Sequence, residues 1–321
     1  MDLSQFKSRR LLIPGLIILI LLVLLATLPF YGSDYIVILL TAILMYVIIT
    51  VSWTIFSGPT RYISLASAAF FGVGVYTMAI LGKVLPLPVV IAVGALVSFV
   101  LALCMGFLTL RLRGMYFIIF TFGISELIKN FLLWYETNIT NTVGRWVIRI
   151  GHDQVYYIVL AIFVVLMLTT YFIRNSRFGL ALQSIGHSEE AAAHRGINVT
   201  WTKVIAFAIS ALFMGAVGTI MATRWAYVDP RIAFNPLLSF MPVMMAIFGG
   251  LGQIYGPVIG AAIFAYLEEF LITEFPYHYM LIFGAVLVIA ILYLPNGLVG
   301  LIQKLWRRRR IRAPAKQRTS T

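Results

Sequence analysis

A chain of 321 residues that is 61% hydrophobic and only 11% charged carries more apolar surface than a water-soluble globule can hide, since soluble domains average about 25% charged residues and their burial is capped by surface-to-volume scaling. That excludes a soluble enzyme, a disordered chain and a fibrous protein, and leaves a polytopic membrane protein, in agreement with a mean hydropathy of +0.98. The net charge of +13 then acts through its placement relative to the membrane and not as a nucleic-acid footprint.

In chain order, apolar runs of the roughly 17–25 residues needed to cross a bilayer fall at about 11–30, 35–56, 63–82, 87–110, 115–135, 155–173, 201–223, 257–275 and 279–294. A shorter run at 237–249 has Pro242 near its start and Gly249-Gly250 at its end, and reads as a half-span or re-entrant helix. The fold expected is all-α, with about eight to ten transmembrane helices, one of them short. The first run follows Lys7, Arg9 and Arg10, but Leu11 to Phe30 is longer than the roughly 7–15 residues of a signal-peptide core. It reads as a retained helix.

Ten crossings with the N-terminus inside place 18 of the 24 Lys and Arg on one side, as the positive-inside rule requires. The layout is a cytoplasmic N-terminus at 1–10, a membrane domain at 11–300 with a cytoplasmic loop at 174–200, and a basic cytoplasmic tail at 301–321. In that tail Arg307 to Arg310, Arg312, Lys316 and Arg318 read as a topology anchor on anionic lipid, with no nucleic-acid partner. Cys104 is the one cysteine, so no intramolecular disulfide forms, and its place in an apolar run reads as a small buried hydrophobe.

No catalytic set stands out. His152, His187, His194 and His278 have no carboxylate or thiol at ligand spacing, so no metal is expected. Neither a G-x-S-x-G elbow nor the G-x-x-x-x-G-K-[S/T] phosphate cradle occurs, so no cofactor is expected on this chain. Charge inside the membrane is rare and marks functional candidates. Glu126 and Lys129 lie three residues apart on one helical face, where they can pair, and Glu268 and Glu269 fall within the 257–275 run. Arg224 closes another run, with Asp229 and Arg231 nearby. Glu126, Lys129 and Glu268 are candidates for a translocation pathway, beside the plainer reading of satisfied pairs and snorkelling ends. Gly72, Gly74, Gly249 and Gly250 read first as close-packing positions between helices, and second as pathway-lining breaks.

The 174–200 loop is the most informative segment. Ser188 is a good N-cap, and Glu189 and Glu190 fall in the first turn, where the helix dipole favours anions. Ala191 to Ala193 favour helix, and Gly196 after Arg195 is a natural stop.

The order Glu190-Ala191-Ala192-x-x-x-Gly196 matches the EAA-x-x-x-G signature of bacterial ABC importer permeases. Further stretches resemble the branched-chain amino acid (LivM-type) permeases in particular: Ile63 to Tyr76, Arg111 to Phe117, Arg177 to Gly218, Phe248 to Ala261 and Leu294 to Leu298. Together they cover most of the chain from about 57 to 300. The resemblance implies an ABC importer permease fold, with Ser188, Glu189, Glu190, Ala191, Ala192 and Gly196 forming a coupling helix that docks on an ATPase. It also implies two cytosolic ATPases holding ATP and Mg, a second homologous permease, an extracytoplasmic solute-binding protein and a place in the bacterial inner membrane. The implied solute is a branched-chain or related amino acid. The outer loop from Tyr135 to Trp146 keeps only Gly144 of the family's glycines, so a same-superfamily permease for urea, amides or simple sugars stays open. An ATP-independent secondary carrier is the remaining alternative.

Overall fold

The computed structural model describes residues 22–300 apart from 113, 254, 294–296 and 299. The N-terminal segment 1–10, most of the 11–30 run and the basic tail at 301–321 lie outside the described residues. A 3₁₀ turn at Leu28–Phe30 leads into α1 (Asp34–Thr60), α2 (Ser67–Leu81), α3 (Leu87–Thr109) and α4 (Met115–Asn138). A two-residue strand β1 (Arg145–Trp146) precedes α5 (His152–Asn175), α6 (Arg177–His187), α7 (Glu189–His194) and α8 (Val199–Met221). Beyond these come β2 (Tyr227–Val228), α9 (Pro230–Ala233), α10 (Leu237–Gly249), α11 (Tyr255–Glu274) and α12 (Tyr279–Tyr293), with β2 pairing antiparallel to β1. Among the described residues seven stretches are long and apolar enough to span a membrane. Helices dominate because backbone polar groups in lipid must be satisfied within the segment itself.

α8 is the hub: 83% of its apolar window is buried, against 17% for α4 at the periphery. It packs on α3, α2 and α1 through a seam of small residues. A Cβ on Gly74 would sit 2.1 Å from the Gly215 carbonyl oxygen, and one on Gly94 2.0 Å from Thr219 Oγ1. Neither glycine leaves room for a Cβ, and such close approach is how helices associate where lipid removes the hydrophobic drive.

The helices form two halves of opposite direction. In each, a long helix (α1 or α8) is followed by an irregular segment, a short helix (α2 or α10) and a span (α3 or α11). Arg224, just past the end of α8, reaches the Ile38 carbonyl near the start of α1, and Lys203 near the start of α8 reaches Tyr62 just past the end of α1, so α1 and α8 run opposite ways. Each long helix packs on the other half's short helix and span: α1 on α10 and α11, α8 on α2 and α3. Such inverted halves are a common transporter plan. At 15 and 13 residues, α2 and α10 extend about 22 and 20 Å, short of a hydrocarbon core of roughly 30 Å. Their N-termini meet, with the Ala68 N–H donating to Ser239 Oγ at 3.1 Å.

Two expectations change. The run at 63–82 becomes helical only at Ser67, because side chains hold the backbone of 61–66 out of the helix. Trp53 Nε1 donates to the Ser64 carbonyl at 2.8 Å, the Leu65 N–H donates to Thr121 Oγ1 at 3.1 Å, and the Ala66 N–H donates to Ser64 Oγ at 3.3 Å. Cys104 is exposed: it sits on the side of α3 turned away from α8, so an apolar run does not make it a core residue.

Candidate functional site

Three caps shape the α6–α7 segment. Ser176 Oγ accepts from the Gly179 N–H at 3.3 Å and starts α6. A Cβ on Gly186 would lie 2.0 Å from the Pro59 carbonyl oxygen, so α6 presses directly against the end of α1. Ser188 then restarts the helix as α7, its Oγ accepting from the Ala191 N–H at 3.3 Å, with Glu189 and Glu190 in the first turn. Gly196, at φ +82°, turns the chain, and Asn198 Oδ1 caps α8 through the Trp201 N–H at 3.1 Å.

α7 has two faces. Ala192 is buried and Glu189 points inward, whereas Glu190, Ala191, Ala193, His194 and Arg195 are exposed. Inward, Glu189 Oε1 accepts from Tyr62 Oη at 2.7 Å and from Lys203 Nζ at 2.8 Å. Lys203 is 3% exposed and also donates to the Leu110 carbonyl at 3.2 Å. That carbonyl belongs to the end of α3, where the helix dipole favours a cation. A cavity of about 680 Å³ opens beside this cluster, lined among others by Arg61, Ile63, Met115 and Glu190.

The pathway candidates lie on separate elements. Glu126 and Lys129 are ion-paired on α4. Glu268 on α11 accepts from Tyr46 Oη of α1 at 3.4 Å through Oε1, and its Oε2 is buried without a hydrogen-bond partner. Gly72 faces the Phe234 ring, Gly74 faces Gly215, and Gly249 faces the Gly256 carbonyl oxygen at 1.9 Å from where a Cβ would stand. Gly250 ends α10 at φ +101°. No hydrogen bond or ion pair joins the α4 pair to Glu268 among the described residues.

Residues 35–291 match the family model for the branched-chain amino acid transport system / permease component. The chain belongs to this family. A relative in Salmonella typhimurium, the high-affinity branched-chain amino acid transport system permease protein LivM, is 26% identical over 88% of this chain and 74% of its own length. The Escherichia coli permease protein LivH is 26% identical over 49% of this chain and 53% of its own. The Haemophilus influenzae xylose transport system permease protein XylH is 32% identical, over only 35% and 31%. No solved structure gives a significant match. This permease is a multi-pass membrane transport component and not an enzyme, and the family that its motifs resemble is the family that its length matches.

Sequence reasoning passed over several polar residues of the permease. Tyr62 and Lys203 lie far apart in the chain and come together, with each other and with Glu189, only in the fold. At the end opposite α7, Glu136 closes α4 at 1% exposure. Its Oε2 accepts from the Gly144 N–H at 2.8 Å and from Tyr76 Oη at 3.3 Å, and its Oε1 lies 3.5 Å from Arg145 Nε. The Trp146 and Tyr227 rings stack edge-on across β1 and β2 at 5.5 Å. The signal available was a carboxylate at the end of an apolar run, followed nine residues later by an arginine.

Proposed function

We propose that this permease is the membrane subunit of an ABC importer that carries a branched-chain or related amino acid into the cytoplasm. The observation that carries the reading is α7: a short helix capped at both ends, whose exposed face includes Ala191 and Ala193 and whose inner face is bound into the core, in a chain of this family. Its small residues Ala191 and Ala193 suit close seating in a groove on a cytosolic ATPase. In this reading Mg-ATP is bound and hydrolysed by two ATPase subunits, a second homologous permease completes the pathway, and a solute-binding protein delivers the amino acid from outside. The protein sits in the inner membrane with both termini cytoplasmic. Transport proceeds by alternating access, one half rocking against the other as the ATPases close and open.

The test is to tag the chain, solubilise it mildly from its native membrane and identify what copurifies. The expected partners are an ATPase and a second permease, and proteoliposomes of the complex should take up leucine only with ATP inside the ATPase compartment and binding protein on the other side. A chain that purifies alone and transports without ATP overturns the importer reading in favour of a secondary carrier. The XylH match and the outer loop that keeps only Gly144 support a sugar as the second reading. Competition between unlabelled leucine and xylose for the same uptake decides between them.

A further inference from the structure

We propose that Tyr62, Glu189 and Lys203 form a latch through which movement of α7 reaches the half-helix α2, so that Tyr62 and Lys203 are positioning residues for transport. The inference rests on the importer reading above and adds the route. Glu189 is the residue of α7 that reaches inward, and one carboxylate oxygen takes both the Tyr62 hydroxyl at 2.7 Å and the Lys203 ammonium at 2.8 Å. Lys203 further donates to Tyr62 Oη at 3.3 Å, stands 4.5 Å from the centre of the Tyr62 ring and holds the Leu110 carbonyl at 3.2 Å. Three elements therefore meet on α7: the base of α8, the end of α3 and the 61–66 segment.

That segment is what makes the contact more than an anchor. It is the irregular stretch leading directly into α2, and its hydrogen bonds run to Trp53 of α1 and Thr121 of α4. Two residues further on, the Ala68 N–H meets Ser239 at the start of α10. The Tyr62 ring also begins an aromatic series, 5.3 Å from Phe117, then Phe117 to Phe207 at 6.4 Å and Phe207 to Phe70 of α2 at 5.2 Å. A displacement of Glu189 pulls on Tyr62 and hence on the N-terminus of α2, where the two inverted halves touch. Coupling travels well through such packed, hydrogen-bonded contacts when the element moved has two arrangements.

The experiment compares wild type with Tyr62→Phe and with the double variant Glu189→Gln/Lys203→Met, all as the full complex in proteoliposomes, measuring uptake and ATP hydrolysis together. Tyr62→Phe keeps the ring contacts and deletes only the hydroxyl. The double variant removes both members of a buried ion pair, which is far gentler on folding than removing one. For Tyr62→Phe the expected result is hydrolysis within about twofold of wild type, with uptake per ATP lowered roughly three- to thirtyfold, the range by which a coupling residue acts; for the double variant it is a fall in uptake per ATP of the same order. Uptake per ATP unchanged in Tyr62→Phe overturns the latch, even if the double variant fails to assemble. So does a parallel fall of uptake and hydrolysis, which marks a docking contact only. A wild-type complex without ATP-dependent uptake instead sinks the importer reading, and is distinguishable because no variant is needed to see it.

Discussion

At Gly196 the backbone stands at φ +82° with no atom near enough to crowd a Cβ, so the requirement for glycine is conformational and not steric. A side chain there meets only the left-handed penalty of about 1–2 kcal/mol, enough to tilt α7 without unfolding the bundle. Gly196→Val is therefore expected to reduce uptake and ATPase stimulation by the complex, while the amount of chain inserted in the membrane stays at the wild-type level. Unchanged uptake would remove the turn from the mechanism. Gly74 is the opposite case. Its Cβ would enter the Gly215 carbonyl oxygen across the α2–α8 contact, and backbone cannot retreat as a flexible side chain does. Gly74→Leu should lower stability by about 1–3 kcal/mol or more, as overpacking does, read as a drop in thermal midpoint in detergent. Gly123→Ala, on an open stretch of α4, should hold its midpoint, since alanine is the better helix former by up to roughly 1 kcal/mol.

At the scale of elements, the clasp at the end opposite α7 hangs on one carboxylate. Glu136 is 2% exposed in its side chain and receives Tyr76 of α2, the Gly144 backbone and Arg145, whereas Arg145 is 38% exposed. Solvent screens the arginine's share of the attraction, so the buried acceptor matters more than the ion pair. Glu136→Ala should thus open the 139–151 loop to protease more than Arg145→Ala does. The arginine variant should cost about 1–3 kcal/mol at most. Equal cleavage in the two variants would show that the pair, and not the buried carboxylate, holds the loop. This clasp also marks where sequence reading stops. The spans were legible because an apolar run of sufficient length has few alternatives in lipid, and α7 was legible because caps are local: Ser188, Glu189, Glu190 and Gly196 stand within nine residues. What could not be read is what depends on partners distant in the chain. Nothing near Ser64 announces that Trp53 and Thr121 will hold it out of a helix, and nothing near Glu189 announces Lys203. Cys104 failed for a related reason, since α3 is apolar all round and its sequence alone does not say which side meets α8 and which meets lipid.

At the scale of the whole molecule, the inverted halves make the direction of every element follow from the direction of one. If α7 faces the cytoplasm, then His187, Thr200 and the turn at Gly252, all exposed, must lie inside, while Lys83, Asn138 and Tyr277 at the opposite end, also exposed, must lie outside. The excess of Lys and Arg on the α7 side supports this orientation through the positive-inside rule. Cysteine placed at one of these six positions at a time reports it, provided that Cys104, which is itself exposed, is first replaced by alanine so that it does not label. In intact cells a membrane-impermeant maleimide should modify Lys83→Cys, Asn138→Cys and Tyr277→Cys, and should reach His187→Cys, Thr200→Cys and Gly252→Cys only after permeabilisation. The six positions are coupled by the fold, so they are expected to switch as two sets of three. A complete reversal would put α7 on the outer face, where no cytosolic ATPase can reach it, and the importer reading would fall with it. A mixed pattern within either set would contradict the alternation of spans on which the inverted halves rest, and would place the error in the crossing of α2 or α10, each too short to span alone.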